Sequence, residues 1–212
     1  MEILQGFDII SLLKGLDIVE VLGVLVGLIY LYQEYKGSIY LWITGIIMPV
    51  IYIKLYHDTG LYADMACNIY YLLATVYGLT VWLLARKKQK EAGKKEEMPI
   101  TSMPTTYWIR VSIFSIIVFF AIGYGLAHYT DSTVPYLDSF TTTLSIVGMW
   151  QLAQKYIEQW FVWIAVDLVS TGLYFYKGLS LTAILYLIYS IIALAGYFKW
   201  RSMMQDMTQE DA

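Results

Sequence analysis

Apolar runs close to 20 residues long, separated by short polar breaks, recur from residue 18 to residue 200. A helix rises 1.5 Å per residue, so about 20 residues cross the hydrocarbon layer of a bilayer. The pattern predicts seven spans, at 18–35, 39–56, 62–85, 106–128, 135–154, 160–176 and 180–200. The second contains Pro49, which can kink a membrane helix without ending it. The sixth is short and borrows length from its flanks. Residues 1–17 read differently. Ile3, Leu4, Phe7, Ile10, Leu13 and Leu16 are set among Asp8, Lys14 and Asp17, which predicts an amphipathic helix lying in the interface. Glu2 and Asp8 stand where a cleaved leader would be basic, and no small-x-small site follows, so no signal peptide is expected.

Composition supports the membrane reading. Of 212 residues, 58% are hydrophobic and 15% charged, and the mean hydropathy is +0.57. Soluble domains carry about 25% charged residues. Aromatics reach 17%, with 20 tyrosines and 7 tryptophans, and interfacial belts account for part of that excess. The single cysteine, Cys67, excludes an internal disulfide and a multi-cysteine metal site. A net charge of −3 says little about partners, because the charges are clustered.

The cluster that matters lies between the third and fourth spans. Arg86, Lys87, Lys88, Lys90, Lys94 and Lys95 precede Glu96, Glu97, Pro99 and Pro104. Residues 86–105 read as a solvated basic linker, which the positive-inside rule puts in the cytoplasm. Counting spans from there expects the N-terminus outside and the C-terminus inside. Lys36, Arg110, Lys155, Lys199 and Arg201 then fall on the inner side, and only Lys14, Lys54 and Lys177 outside.

The chain also resembles itself. A shift of 121 brings Leu31, Gln33, Tyr35, Trp42 and Ile43 onto Leu152, Gln154, Tyr156, Trp163 and Ile164. A shift of 118 brings Gly60, Leu61, Tyr71, Gly78 and Trp82 onto Gly178, Leu179, Tyr189, Gly196 and Trp200. Two units of three helices, 18–85 and 135–200, would be inverted if fused directly. The span at 106–128 restores the orientation, predicting an all-α membrane protein with a 3+1+3 arrangement of parallel repeats and a cytoplasmic tail over 201–212. Such repeats bind solutes near the midplane, where they face each other.

The candidate chemistry follows from helical spacing. Trp160, Trp163 and Asp167 stand at i, i+3 and i+7 on one face. Two indoles offer a stacking surface to a flat ring, and a cationic ring gains a further ~0.5–2 kcal/mol. A carboxylate inside a span is costly and functional by default. Asp64, Asn68, Tyr71 and Thr75 form a polar stripe in the third span, Thr182, Tyr186 and Tyr189 one in the seventh, and Asp138, Thr141, Thr142 and Ser145 one in the fifth. With Trp42 in the second span, the expected solute contacts are Trp160, Trp163, Asp167, Asn68, Tyr71, Trp42, Thr142, Tyr186 and Tyr189. No nucleophile elbow, P-loop or His-Glu-x-x-His motif is present. His57 and His128 lie near the outer surface, and the seventh span has no mid-membrane lysine for a retinal. No enzyme, cofactor, metal or nucleic-acid partner is expected.

The Trp-x-x-Trp-x-x-x-Asp run at 160–167 resembles the Trp-x-x-Trp-x-x-x-Asn/Asp signature of the PnuC vitamin transporters. Similarity continues through Tyr62-Ala63-Asp64-Met65, Tyr70-Tyr71, Tyr77-Gly78, Tyr176-Lys177-Gly178-Leu179 and Gly196-Tyr197-x-x-Trp200. The resemblance covers about residues 18–202. It implies a bundle akin to the SWEET sugar transporters in the bacterial inner membrane, with a B vitamin bound between the repeats. It implies facilitated diffusion of nicotinamide riboside, trapped by a cytoplasmic kinase, with relatives that carry thiamine and riboflavin. Trp160, Trp163 and Asp167 carry over as signature residues, and Asn68 stands where some members have another amide. Nicotinamide riboside and thiamine both hold a cationic ring, so a carboxylate at 167 suits either. Proton-coupled transport through Asp167 or Asp64 is the competing reading, and a homo-oligomer is left open.

Overall fold

Each apolar run is helical in the computed structural model, which describes residues 18–58, 60 and 62–210. The amphipathic segment expected over 1–17 lies outside the described residues. The helices are α1 (Ile18–Tyr35), α2 (Tyr40–Asp58), α3 (Tyr62–Glu91), α4 (Thr105–Tyr129), α5 (Pro135–Ala153), α6 (Gln159–Tyr176) and α7 (Ser180–Glu210). Their ends agree with the predicted spans to within two residues, except that α3 and α7 run on to Glu91 and Glu210. Neither extension contains glycine or proline, so nothing stops the helix where the apolar run ends. Gly93, at φ 69°, lies just beyond α3, the left-handed conformation that commonly ends a helix. By length and hydropathy, α2, α3, α4 and α7 each contain a stretch able to cross a membrane. α5 and α6 interrupt their apolar surface with Asp138, Thr141, Thr142 and Asp167.

The packing has two-fold character. α1 packs on α2 and α2 on α3; α5 packs on α6 and α6 on α7. The triplets meet through α1 against α7 and α3 against α5, while α4 touches α5. Exchanging α1 with α5, α2 with α6 and α3 with α7 leaves the contacts within and between the triplets unchanged, with α4, which packs on α5 alone, outside the exchange; this is consistent with a 3+1+3 architecture.

One shift relates the triplets throughout. After α1, the Gly37 N–H donates to Glu34 O (2.8 Å) and the Ser38 N–H to Gln33 O (2.9 Å). After α5, the Lys155 N–H donates to Leu152 O (2.9 Å) and the Tyr156 N–H to Gln151 O (2.9 Å). Both turns are Schellman closures, built on a left-handed residue. That residue is Gly37 (φ 62°) in one and Lys155 (φ 55°) in the other. At the opposite end, Gly60 (φ 73°) corresponds to Gly178 (φ 75°). All of these pairs are 118 apart, so the shift of 121 expected for the first half is corrected. Trp42 corresponds to Trp160, not to Trp163.

The symmetry extends into the core. Trp42 meets Trp82 edge-on with ring centroids 5.6 Å apart, and Trp160 meets Trp200 in the same way at 5.4 Å. Trp42 lies against Gly78, where an added Cβ would fall 2.3 Å from the ring; at Gly196 it would fall 2.4 Å from Trp160. Only glycine admits an indole that close to the backbone. The third helix of each triplet then reaches the other triplet. Trp82 Nε1 donates to Ala153 O (3.1 Å) and Trp200 Nε1 to Glu34 O (3.0 Å), both carbonyls of a last helical turn, where intrahelical donors run out.

The linker corrects the solvated reading. Arg86 to Glu97 is mostly exposed, but Ile100 and Met103 are buried. Thr101 exchanges backbone hydrogen bonds with Lys155 O (3.2 Å) and Ile157 N (3.0 Å), and the Met103 N–H donates to Glu158 Oε2 (3.0 Å). The Lys155 side chain is 1% exposed. It donates to Met98 O (2.8 Å) and lies 4.6 Å from the centre of the Trp82 ring. Burial pushes its ammonium down to about 8. Lys155 is thus a strut under the linker rather than a solvated charge.

Candidate functional site

The two triplets line one cavity with aromatic rings placed by opposite means. In the first, Tyr30 on α1 overlies Gly45 on α2, where an added Cβ would fall 3.2 Å from the ring. In the second, Trp163 on α6 overlies Gly148 on α5, again at 3.2 Å. Under the 118 shift Tyr30 corresponds to Gly148 and Gly45 to Trp163, so large and small have changed places. The repeats keep one packing volume and present different rings. Tyr30 and Trp163 both line a cavity of about 230 Å³, together with Thr44, Pro49, Tyr71 and Thr75.

A second cavity of about 350 Å³ lies between α5, α6 and α7. Asp138, Thr141, Thr142 and Ser145 line one side, Ser170 and Tyr186 the other, and Tyr71 is shared with the first cavity. Its far end, away from the linker, is tied by an ion pair from Lys177 Nζ to Asp138 Oδ1 (3.2 Å) and by Ser132 Oγ to Asp138 Oδ2 (2.6 Å). A third cavity, about 550 Å³, is an apolar groove between α3, α4 and α5 and includes none of the nine expected contacts. Solute recognition needs a few convergent polar groups, which the two smaller cavities have.

Asp167 is 6% exposed in α6, one turn from Trp163. Its neighbours Val166 and Ser170 face the second cavity and Trp163 faces the first. Tyr186 and Tyr189 of α7 and Glu34 of α1 lie within electrostatic reach of its side chain. It is therefore held between the triplets. At the corresponding position of the first triplet stands Pro49, so the carboxylate is not part of the shared scaffold.

Of the expected contacts, Trp163, Tyr71, Thr142 and Tyr186 line the two cavities. Tyr189 brings its hydroxyl close to Gly27, itself on the first cavity wall. Asn68 is half-buried one turn before Tyr71. Trp42 and Trp160 are 0% and 1% exposed and are packed inside their own triplets; in this conformation neither ring faces a cavity. The sequence reading missed Tyr30, Glu34 and Gln159. Glu34 and Gln159 are 2% and 0% exposed. Both lie beside helix ends, where a polar residue reads as solvated; only the adjoining turns mark them as covered. Among the described residues, no cluster of His, Cys, Asp and Glu is arranged to hold a metal ion.

Residues 17–202 match the family model for the nicotinamide mononucleotide transporter. The nicotinamide riboside transporter PnuC of Escherichia coli (strain K12) is 22% identical over 203 residues, covering 86% of this chain and 84% of that protein. PnuC of Neisseria mucosa is 27% identical over 179 residues, covering 80% and 66%. The riboflavin/roseoflavin transporter RibM of Streptomyces davaonensis is 23% identical over 186 residues, covering 85% and 83%. A crystal structure of the vitamin B3 transporter PnuC matches with a TM-score of 0.62 at 24% identity, over 85% of this chain and 79% of that one. At that identity the likeness is one of fold.

Proposed function

We propose, from the premise that this chain belongs to the nicotinamide mononucleotide transporter family, that it carries nicotinamide riboside across the bacterial inner membrane by facilitated diffusion. The observation that carries the reading is Asp167, a buried carboxylate one helical turn from Trp163, whose ring lines the first cavity, and flanked by Val166 and Ser170, which line the second. The pyridinium ring of nicotinamide riboside is flat and permanently cationic. Stacking on an indole and offsetting by a carboxylate are the two interactions that such a ring can use. Hydroxyls of Thr142, Ser145 and Ser170 supply hydrogen-bond partners for a ribose in the adjoining cavity.

The cycle we infer is a rocking of α1–α3 against α5–α7 about this site. Lys177 and Asp138 hold the far side shut, and parting them opens it. The linker then lies in the cytoplasm, where a kinase that phosphorylates the vitamin would keep uptake running downhill. Calorimetric titration of the purified protein tests the substrate. Nicotinamide riboside should bind, and riboflavin, which has no cationic ring, should bind far more weakly.

Thiamine is the second reading, since its thiazolium is also a flat cation and Asp167 serves it equally. Thiamine binding without nicotinamide riboside binding would move the assignment to it. Proton coupling through Asp167 is the competing mechanism. Uptake that collapses when the pH gradient is dissipated would favour it over facilitated diffusion.

A further inference from the structure

The repeat provides an internal control for one buried contact. Glu34, at the end of α1, lies beside Gln159, at the start of α6. Under the 118 shift their counterparts are Leu152, at the end of α5, and Leu41, at the start of α2. Leu152 and Leu41 are both 0% exposed and belong to one apolar cluster. The places held by a carboxylate and an amide on one side of the repeat are thus held by two buried leucines of the apolar cluster on the other. Packing at this place does not need polar groups, and apolar replacement of a buried polar pair is often neutral or stabilising.

The polar version is also incompletely satisfied. Glu34 Oε1 has no hydrogen-bond partner, nor do Gln159 Nε2 and Oε1. The amide faces the carboxylate without closing a bond of good geometry. Among the described residues none forms an ion pair with Glu34. The nearby buried cation, Lys155, is committed to Met98 O and the Trp82 ring. A buried carboxylate in this condition is costly, and unpaired buried polar groups need a reason. Glu34 is also within electrostatic reach of Asp167, which lies two turns further along α6 than Gln159.

We propose that Glu34 and Gln159 form a second station on the solute path, at the linker end, which receives the positive charge of the solute after it leaves Asp167. The path is then one-sided: it runs past the α1–α6 junction and not past its Leu152–Leu41 counterpart. The inference rests on the proposed transport of a cationic vitamin and adds two residues that the signature does not include.

The test compares nicotinamide riboside with its reduced dihydro form, which has nearly the same shape and no charge. The first variant, Glu34→Leu with Gln159→Leu, copies the pair already present at Leu152 and Leu41, so it should insert and melt no lower than the wild type. In liposome counterflow it should carry the cation about tenfold more slowly or worse, while the rate for the dihydro form changes by less than about twofold. Binding of the cation at equilibrium should stay within about threefold of the wild type, because Trp163 and Asp167 are intact. Should the double variant fail to insert, Glu34→Gln must show the same selective loss. Equal rates in variant and wild type, or equal slowing of both forms, would overturn the station. A wild type that carries neither nicotinamide riboside nor thiamine would overturn the proposed function itself.

Discussion

Trp163 rests on Gly148, close enough that a Cβ there would fall 3.2 Å from the indole. The glycine therefore sets the depth at which the ring enters the cavity. Gly148→Ala should push the ring outward by a few tenths of an ångström and weaken nicotinamide riboside binding by roughly threefold to thirtyfold, the range of a cation–π contact. Calorimetry gives the affinity, and an unchanged value would show that the ring does not touch the ligand.

Gly196→Ala asks about scaffold rather than site. The new Cβ would lie 2.4 Å from the Trp160 ring, which has no room to retreat. Overpacking of this kind costs about 1–3 kcal/mol, visible as a lowered melting temperature in detergent. Gly125→Ala on α4, where a Cβ meets nothing within 4 Å, should melt no lower than the wild type. Equal melting temperatures for the two variants would contradict the packing role.

Asp167→Asn keeps the shape and removes the charge. A hydrogen bond or contact to a charged group is worth about 1.5–3 kcal/mol, so affinity for the cation should fall by roughly tenfold to a hundredfold. Affinity for the dihydro form should change little. Equal losses for both ligands would make Asp167 a structural residue.

Lys155 makes the docked linker sensitive to pH. Burial holds its ammonium at about 8, against 10.5 for an ordinary lysine. The released state therefore binds more protons between these values, and docking strengthens as pH rises through that window. Below about pH 8 both states are protonated and the dependence disappears. Proteolysis of residues 98–103, measured as a ratio to Lys155→Met to cancel the protease's own profile, should show growing protection from pH 8 to 10.5. A flat ratio would contradict the strut.

Lys155 also shows why the repeat was only half legible in the sequence. The outer turns advertise themselves through Gly60 and Gly178. The inner turn uses Gly37 once and a left-handed lysine the second time, so no shared residue marks the register, and a chance alignment of apolar and aromatic positions at 121 prevailed. The helices were legible because each apolar run meets a turn or a charge at both ends. The polar stripes were legible because a carboxylate or amide inside an apolar run has few explanations. Tyr30 was not, because an aromatic ring in a membrane helix carries no sign of where it points. The covered part of the linker was not read either, although Met98, Ile100 and Met103 carry a signal of it, since three apolar residues have little reason to stand together in a solvated segment.

A cationic vitamin should pass between the two triplets without an energy source. Liposomes containing the purified protein and unlabelled nicotinamide riboside, with no ATP and no ion gradient, should take up the labelled vitamin by counterflow, saturably and competed by excess unlabelled vitamin. Uptake no greater than in protein-free liposomes, or uptake that appears only with an imposed proton gradient, would contradict it.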